Sequence, residues 1–343
     1  MSEGRVAMLE APKEFVVNRR TNPEPGPGEV RVRVRDCGVC GSDLKMWAGT
    51  HAFLRPPLLL GHEVYGVVDA VGADSNGITA ADLVVVFPAQ GCGSCFLCLR
   101  GQPQLCADMA FYGGQLPGGL AEYVLVSGAN LMPVPNAVPD QQRVLIEPLA
   151  VAIHAVSRAN AEPGETAVVI GSGAIGLFTA LVARARGLVP VLVAEPSELR
   201  RRRSSALGFP TVDPSMTSLA SAVSDLIRPE GADVVFECVG TNETIATALS
   251  VTRKGGRTVV VGNAPADLRL DGLALQRGDR SLVGVLMYDR DDFTVAMDLL
   301  AGGLLSDLPA GDAVQAFSLD QVGEAFAAAK DATLGAVRAV VRP

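Results

Sequence analysis

A thiol at Cys40, a hydroxyl at Ser42, and an imidazole and carboxylate at His62 and Glu63 stand in two short segments, Cys40-Gly41-Ser42-Asp43 and Gly61-His62-Glu63. Thiolate, imidazole and carboxylate are donors that zinc takes. A structural zinc fills four protein positions, whereas a catalytic one keeps a position open for water or substrate. One cysteine and one histidine alone are equally the mark of a buried thiol and a core imidazole, so their setting has to decide. A second group of donors is denser. Cys92, Cys95, Cys98 and Cys106 follow the pattern C-x2-C-x2-C-x7-C in a glycine-bearing loop after the apolar run 83–87. Four thiolates so close can wrap one tetrahedral zinc in a closed site that pins a lobe and does no chemistry. The alternative, a redox or disulfide cluster, suits an intracellular chain poorly. Cys37 and Cys238 read as small buried apolar residues.

A third constellation binds rather than reacts. Residues 166–170 are an apolar, β-branched run leading into Gly171-Ser172-Gly173-Ala174-Ile175-Gly176, with a helix expected to about residue 187. A second strand at 189–194 ends at Glu195, 19 positions beyond Gly176. A lone G-x-G-x-x-G is weak, but between strand and helix and followed by an acid at this distance it is specific. The glycines permit a tight turn and close approach of a pyrophosphate at the helix N-terminus, and Glu195 can accept hydrogen bonds from the adenosine ribose. Four arginines, Arg200 to Arg203, follow. They suit either the extra phosphate of NADP or the solvated face of a helix with one guanidinium, at Arg200, over the adenine. The carboxylate of Glu195 repels that phosphate and favours NAD.

The elements that must position these groups fall into two kinds. Before residue 140 the chain holds short strands at 6–9, 15–17, 30–35, 64–71, 83–87 and 118–126, separated by Gly/Pro turns such as Pro23-Glu24-Pro25-Gly26-Pro27-Gly28. The run Val30-Arg31-Val32-Arg33-Val34-Arg35 alternates with the period of a half-buried strand. This part is β-rich and partly barrel-like. At Glu147-Pro148 a helix is expected to open with the proline at its first position and Glu147 at its mouth. Strands at 232–238, 257–261 and 282–287, with helices between, complete a doubly wound sheet of about six strands. Cys238, Val239, Val261 and Leu286, at or past the strand ends, are expected along the bound cofactor. Amphipathic helices at 293–300 and 322–330 and a strand at 337–341 form a tail that returns to the first domain. The expected domains are therefore 1–148 with 289–343, and 149–288.

At 343 residues two domains are the natural division, and a net charge of −8 argues against nucleic acid or an anionic membrane as partner. No apolar run is long enough to span a bilayer. The first residues lack the apolar core of a signal peptide, so a cytoplasmic location is expected.

In order along the chain, Gly38-Val39-Cys40-Gly41-Ser42-Asp43, Gly61-His62-Glu63, the four-cysteine lobe, Gly118-Gly119-Leu120-Ala121-Glu122-Tyr123, Glu147-Pro148-Leu149, the glycine loop and Asp233-Val234-Val235-Phe236-Glu237 resemble the zinc-dependent medium-chain dehydrogenases nearly from end to end. The resemblance implies an α/β fold, with a β-rich GroES-like catalytic domain and a Rossmann domain. It also implies one catalytic and one structural zinc, and NAD, with NADP the alternative. By resemblance the catalytic zinc is held by Cys40, His62 and Glu147, with Glu63 either a fourth ligand or a close partner, and Asp43 orients His62. A carboxylate at Glu147 is similar to the polyol, threonine and bacterial secondary-alcohol branches. The implied reaction takes a secondary hydroxyl of a polyol, sugar, cyclitol or amino-alcohol to a ketone. Zinc lowers the hydroxyl's pKa, Ser42 takes its proton and passes it outward through the cofactor ribose, and a hydride passes to the nicotinamide.

One departure stands out. Many relatives carry a histidine where this chain has Lys45, at the end of the proton path. Lys45 can complete that relay with a depressed pKa, bind a substrate hydroxyl or carboxylate, or be a surface charge. His51 is another exit for the proton or a solvated loop residue, and His154 reads as structural. Two rivals remain. A zinc-free reductase of the same fold would lack the Cys40/His62/Glu147 set, and a non-catalytic nucleotide sensor would not need Ser42 beside Cys40. Family likeness suggests a homodimer or homotetramer joined through the strand at 282–287, acting on a small-molecule alcohol or ketone.

Overall fold

The first two apolar runs form a hairpin in the computed structural model, which describes residues 2–309, 311–331 and 334–343. β1 (Glu3–Ala11) and β2 (Glu14–Thr21) pair antiparallel, with Ala7 opposite Val17. The alternating run lies inside β3 (Glu29–Gly38). Val30, Val32 and Val34 are buried and Arg33 and Arg35 exposed, as a pleated strand with one covered face requires. A short helix, α1 (Gly41–Trp47), follows, and then β4 (Glu63–Val71), β5 (Leu83–Val86), β6 (Ala89–Gln90), β7 (Ala110–Phe111), β8 (Tyr123–Ser127) and β9 (Leu131–Pro133).

The strand expected at 118–126 starts only at Tyr123. The residues before it spend their N–H groups on the loop at 59–60 and on β1. Gly118 donates to the Leu59 carbonyl, Leu120 to Leu60 and Glu122 to Arg5.

A 3-10 helix at Asp140–Leu145 runs straight into α2 (Ile146–Arg158). Pro148 is therefore the third residue of α2 rather than the first. Beyond it the chain alternates through β10 (Ala167–Ile170), α3 (Ala174–Ala185), β11 (Val191–Ala194), α4 (Glu198–Ala206), β12 (Thr211–Val212), α5 (Leu219–Leu226), β13 (Ala232–Glu237), α6 (Asn242–Val251), β14 (Thr252–Val260), α7 (Gly272–Arg277) and β15 (Ser281–Gly284).

These strands form a six-stranded sheet in the order β12-β11-β10-β13-β14-β15, every pair parallel. That is the doubly wound arrangement, with its switch point between β10 and β13. β10 and β11 are unbroken apolar runs, and Val234-Val235-Phe236 in the middle of β13 is another, because both faces are covered; each valine or isoleucine so buried contributes about 1.5–3 kcal/mol. β15 is shorter than the expected 282–287 because its ladder partner β14 ends at Val260.

The tail adds α8 (Arg290–Ala301), β16 (Val314–Ser318), α9 (Val322–Lys330) and β17 (Arg338–Arg342). β17 pairs with β3, placing Val340 opposite Gly38 and Val341 opposite Cys37, and gives a sheet ordered β16-β17-β3-β4-β5-β9 with β8 also on β3. The two compact units are Met1–Glu147 with Asp289–Pro343, and Pro148–Tyr288. No helix among the described residues is long and apolar enough to cross a membrane.

Candidate active site

Cys40 caps the N-terminus of α1 in extended conformation, and the Asp43 carboxylate folds back to accept from the Cys40 backbone N–H at 3.0 Å. The other oxygen of Asp43 lies 3.4 Å from Nδ1 of His62, a charge contact without hydrogen-bond alignment. Asp43 is fully buried, so one carboxylate ties the helix cap to the imidazole from the next segment. His62 reaches this point from a turn that only glycine tolerates. Gly61 has φ +97°, and a Cβ there would stand 2.4 Å from the Cys37 sulfur.

The ligand atoms of Cys40, His62 and Glu63 lie within 4.8 Å of one another, a sulfur, nitrogen and oxygen set that fits zinc. With Nδ1 turned to Asp43, Nε2 is the nitrogen left for a metal. Burial would raise the Cys40 thiol, but the charge and hydrogen bond of His62 outweigh it, with help from Arg338, and hold it below its ordinary value. The thiolate is the form that binds metal. Burial likewise disfavours a charged His62, and the Asp43 and Cys40 charges overturn this, raising it well above the usual imidazole range. Phe111 stands edge-on to the imidazole, with ring centroids 6.0 Å apart, and closes an apolar wall.

Glu63 is engaged before any metal is considered. Arg338 Nε donates to Glu63 Oε2 at 2.7 Å and its Nη2 donates to Oε1 in a two-pronged pair, both residues buried. Strand register explains the meeting, because β17 and β4 flank β3 and Gly38 pairs with both Val340 and Glu63. Sequence reasoning missed Arg338. The signal was an arginine inside the apolar strand Arg338-Ala339-Val340-Val341, which is tolerated only with a buried partner.

Glu147 is buried in the first turn of α2 and adds its charge to those that, after burial, push up the Cys37 thiol. It is not among the three donors gathered within 4.8 Å. Its segment is anchored by Tyr65, which donates to Asp140 at 3.0 Å and accepts from Arg143 at 2.8 Å.

The second donor set also fits a metal. The sulfurs of Cys92, Cys95, Cys98 and Cys106 lie within 4.8 Å of one another, and those of Cys95 and Cys106 are 3.8 Å apart. Two thiolates each about 2.3 Å from a tetrahedral ion would be about 3.8 Å apart. Backbone N–H groups of Cys92, Cys95 and Cys98 each point at a cysteine sulfur at 3.4 Å, favouring the thiolates. All seven cysteines are free thiols.

In the parallel-sheet unit, Gly171 (φ +85°) turns the chain from β10 into α3. A Cβ on Gly176 would stand 1.8 Å from the Gly171 carbonyl oxygen. Glu195 is buried; Oε2 accepts from the Ser172 N–H at 2.7 Å and Oε1 from the Ser197 N–H at 2.9 Å. With the Ser172 N–H taken by Glu195, the backbone at Gly173 and Ala174, at the N-terminus of α3 and with open space at Gly173, suits a pyrophosphate. Ile175 continues the first turn of α3. Glu237 accepts from the N–H groups of Val239 and Gly240, both at 2.8 Å, and so shapes the loop after β13. Cys238 is pushed up to about 12 by burial and by Glu237. Val239 and Leu286 are exposed and Val261 half-buried. Of the four arginines, Arg201 pairs with Asp213 at 2.9 Å and Arg202 with Glu198, whereas the Arg200 guanidinium joins no ion pair among the described residues.

Known proteins resemble the chain in sequence and in fold. Residues 26–136 match the alcohol dehydrogenase GroES-like domain and residues 174–302 the zinc-binding dehydrogenase family. The chain is 31% identical to L-idonate 5-dehydrogenase of Vitis vinifera, over 94% of this chain and 91% of that one. It is 35% identical to 2-dehydro-3-deoxy-L-galactonate 5-dehydrogenase of Pseudoalteromonas atlantica, over 88% of each. The solved 2R,3R-butanediol dehydrogenase from Bacillus subtilis superposes with a TM-score of 0.90 at 29% identity, covering 100% of both chains.

Proposed function

The chain belongs to the zinc-binding, medium-chain alcohol dehydrogenase family, and from that premise we propose that it oxidises a secondary hydroxyl of a polyhydroxylated substrate, a polyol or sugar acid, to a ketone with hydride transfer to NAD. The observation that carries this reading is the convergence of Cys40, His62 and Glu63, with Ser42 on the same first turn of α1.

Cys40 and His62 hold the catalytic zinc in this reading, Glu147 is the third ligand, and Glu63 is kept in reserve by Arg338. When bound, zinc supplies Lewis acidity toward the substrate oxygen. Asp43 fixes the imidazole, Ser42 receives the hydroxyl proton as it passes its own outward through the ribose of the bound cofactor, and Phe111 keeps water from one side. The four-cysteine lobe takes the second, structural zinc. The Gly171–Gly176 backbone holds the pyrophosphate and Glu195 the adenosine ribose. Two backbone donors leave the Glu195 carboxylate lone pairs for a diol, and its charge opposes a 2′-phosphate, which supports NAD. Arg200 supports NADP as the second reading. Seven cysteines, none in a disulfide among the described residues, suit a reducing compartment, the cytoplasm. β15, at the edge of its sheet, is the surface through which copies would join as a homodimer or homotetramer.

The test is NAD reduction by zinc-loaded protein against polyols, aldonates, cyclitols and amino-alcohols. Turnover of one polyhydroxylated class, abolished by Cys40→Ser, is expected. Turnover with NADP alone would reverse the cofactor assignment. Nucleotide binding without turnover of any class would favour a sensor.

A further inference from the structure

On α1, Asp43 and Met46 face inward, whereas Ser42 and Lys45 stand three residues apart on the outer face. The chain then doubles back. The N–H groups of Thr50 and His51 both donate to the Lys45 carbonyl, at 2.9 and 3.1 Å, and so return His51 to the end of the helix.

The imidazole there is fixed in one role. His51 Nδ1 accepts from the N–H groups of both Phe53 (3.3 Å) and Leu54 (3.1 Å). A ring nitrogen that accepts is unprotonated, so the neutral ring carries its proton on Nε2. A second proton would have to enter at Nδ1, against two N–H groups. Burial, then the charges of Lys45 and Arg55, hold the imidazole below its ordinary range. The geometry makes His51 a standing donor and a poor proton acceptor. Arg55 is held by the same loop, donating to the carbonyls of Leu54 (2.8 Å) and His51. Neither His51 nor Arg55 forms an ion pair with a carboxylate among the described residues, in a chain whose net charge is −8.

We propose that Lys45, the Nε2–H of His51 and Arg55 form a binding site for the carboxylate end of the substrate, which makes the enzyme a dehydrogenase of polyhydroxylated acids rather than of neutral polyols. The inference rests on oxidation taking place at the Cys40–His62 centre. The spans agree. Lys45 lies five residues past Cys40, about 7–8 Å along the helix. The carboxylate and the fifth carbon of a six-carbon aldonate are four bonds apart, about 5 Å in an extended chain, and the flexible lysine stem covers the remainder. Lysine and arginine supply charge-assisted hydrogen bonds to a carboxylate, and the imidazole adds direction without competing for the substrate's proton.

The experiment compares kcat/KM for six-carbon aldonates with that for the matching alditols and alditol phosphates, in wild type, Lys45→Met, Arg55→Gln, the double variant and Lys45→Arg. The expected result is a preference for the acid of at least tenfold that weakens with ionic strength. That preference should fall at least tenfold in the double variant and return in part with Lys45→Arg. Equal or better turnover of alditols, or a preference untouched by the double variant, overturns the carboxylate site and leaves the dehydrogenase reading standing. An alditol phosphate that outperforms the aldonate overturns the carboxylate assignment in favour of phosphate. Should no pair be oxidised, the dehydrogenase reading is what has failed. Calorimetric dissociation constants for the same pairs then decide the anion site, through an acid preference that the double variant does or does not abolish.

Discussion

Replacing Arg338 by methionine leaves the Glu63 carboxylate, fully buried, without the guanidinium that both its oxygens engage. Removing one partner of a buried ion pair costs about 3–5 kcal/mol, because an uncompensated charge is left in a poorly solvated site. Glu63→Met takes the two-pronged partner from the buried guanidinium, which among the described residues keeps only its interactions with Cys40 and Asp43. The double variant Glu63→Met/Arg338→Met removes both charges and fills the space with apolar atoms, so its cost should be only about 0–2 kcal/mol. The single costs are therefore far from additive, with a coupling of about 3 kcal/mol or more. Urea titration followed by Trp47, the single tryptophan, reads this directly, since its ring packs 5.9 Å from that of Phe326 within the same unit as the pair. With a slope of about 2–3 kcal/mol per molar urea, each single variant should lower the midpoint by about 1–2 M. Single losses below about 1 kcal/mol, or a double variant as unstable as the sum of the singles, would refute the account of a closed, mutually dependent pair.

Three other outcomes are expected. Asp233 accepts from Thr166 N–H (2.8 Å), Thr166 Oγ1 (2.7 Å), Arg253 Nε (2.5 Å) and Arg228. Burial would raise its carboxyl, but these donors outweigh that and hold it well below the carboxylate range. Its stabilisation is thus complete above the unfolded value of about 3.9 and disappears as pH falls toward the lower folded value. Asp233→Asn should cost about 2–3 kcal/mol at pH 7, discounted because both arginines are partly solvated. In melts between pH 7 and 3 the variant should show a flatter pH profile than wild type; parallel profiles would count against the network. Gly176→Ala drives a methyl into the Gly171 carbonyl, so NADH titration by fluorescence should show affinity reduced at least tenfold, and unchanged affinity would contradict the reading of the loop. Cys98→Ser should lower zinc content by about one equivalent per chain and open residues 92–106 to limited proteolysis, whereas unaltered zinc content would remove the lobe's assigned role.

The glycine loop, the alternating strand β3 and the four-cysteine lobe were legible because each is local. A left-handed turn, a period-two burial pattern and a cluster of thiols within a few turns of chain are written in neighbouring residues. The six-stranded parallel sheet was equally legible from its runs of apolar β-branched residues, apart from the two-residue β12, which is too short to carry a period. β16 escaped for a related reason, since its residues are mostly exposed and show no alternation.

What the chain alone determined was therefore the inventory: a β-rich part and an alternating α/β part, two groups of candidate metal donors and a glycine-rich turn between strand and helix. Only tertiary structure decided how those donors are used. The pairing of β17 with β3 brings Arg338 to Glu63 across 275 positions of chain. The loop after α1 turns two backbone N–H groups onto Nδ1 of His51 and thereby sets which nitrogen keeps the proton. Both outcomes are desolvation problems. A charge or ring nitrogen removed from water must find its partner wherever the fold supplies one, and sequence spacing carries no record of that place.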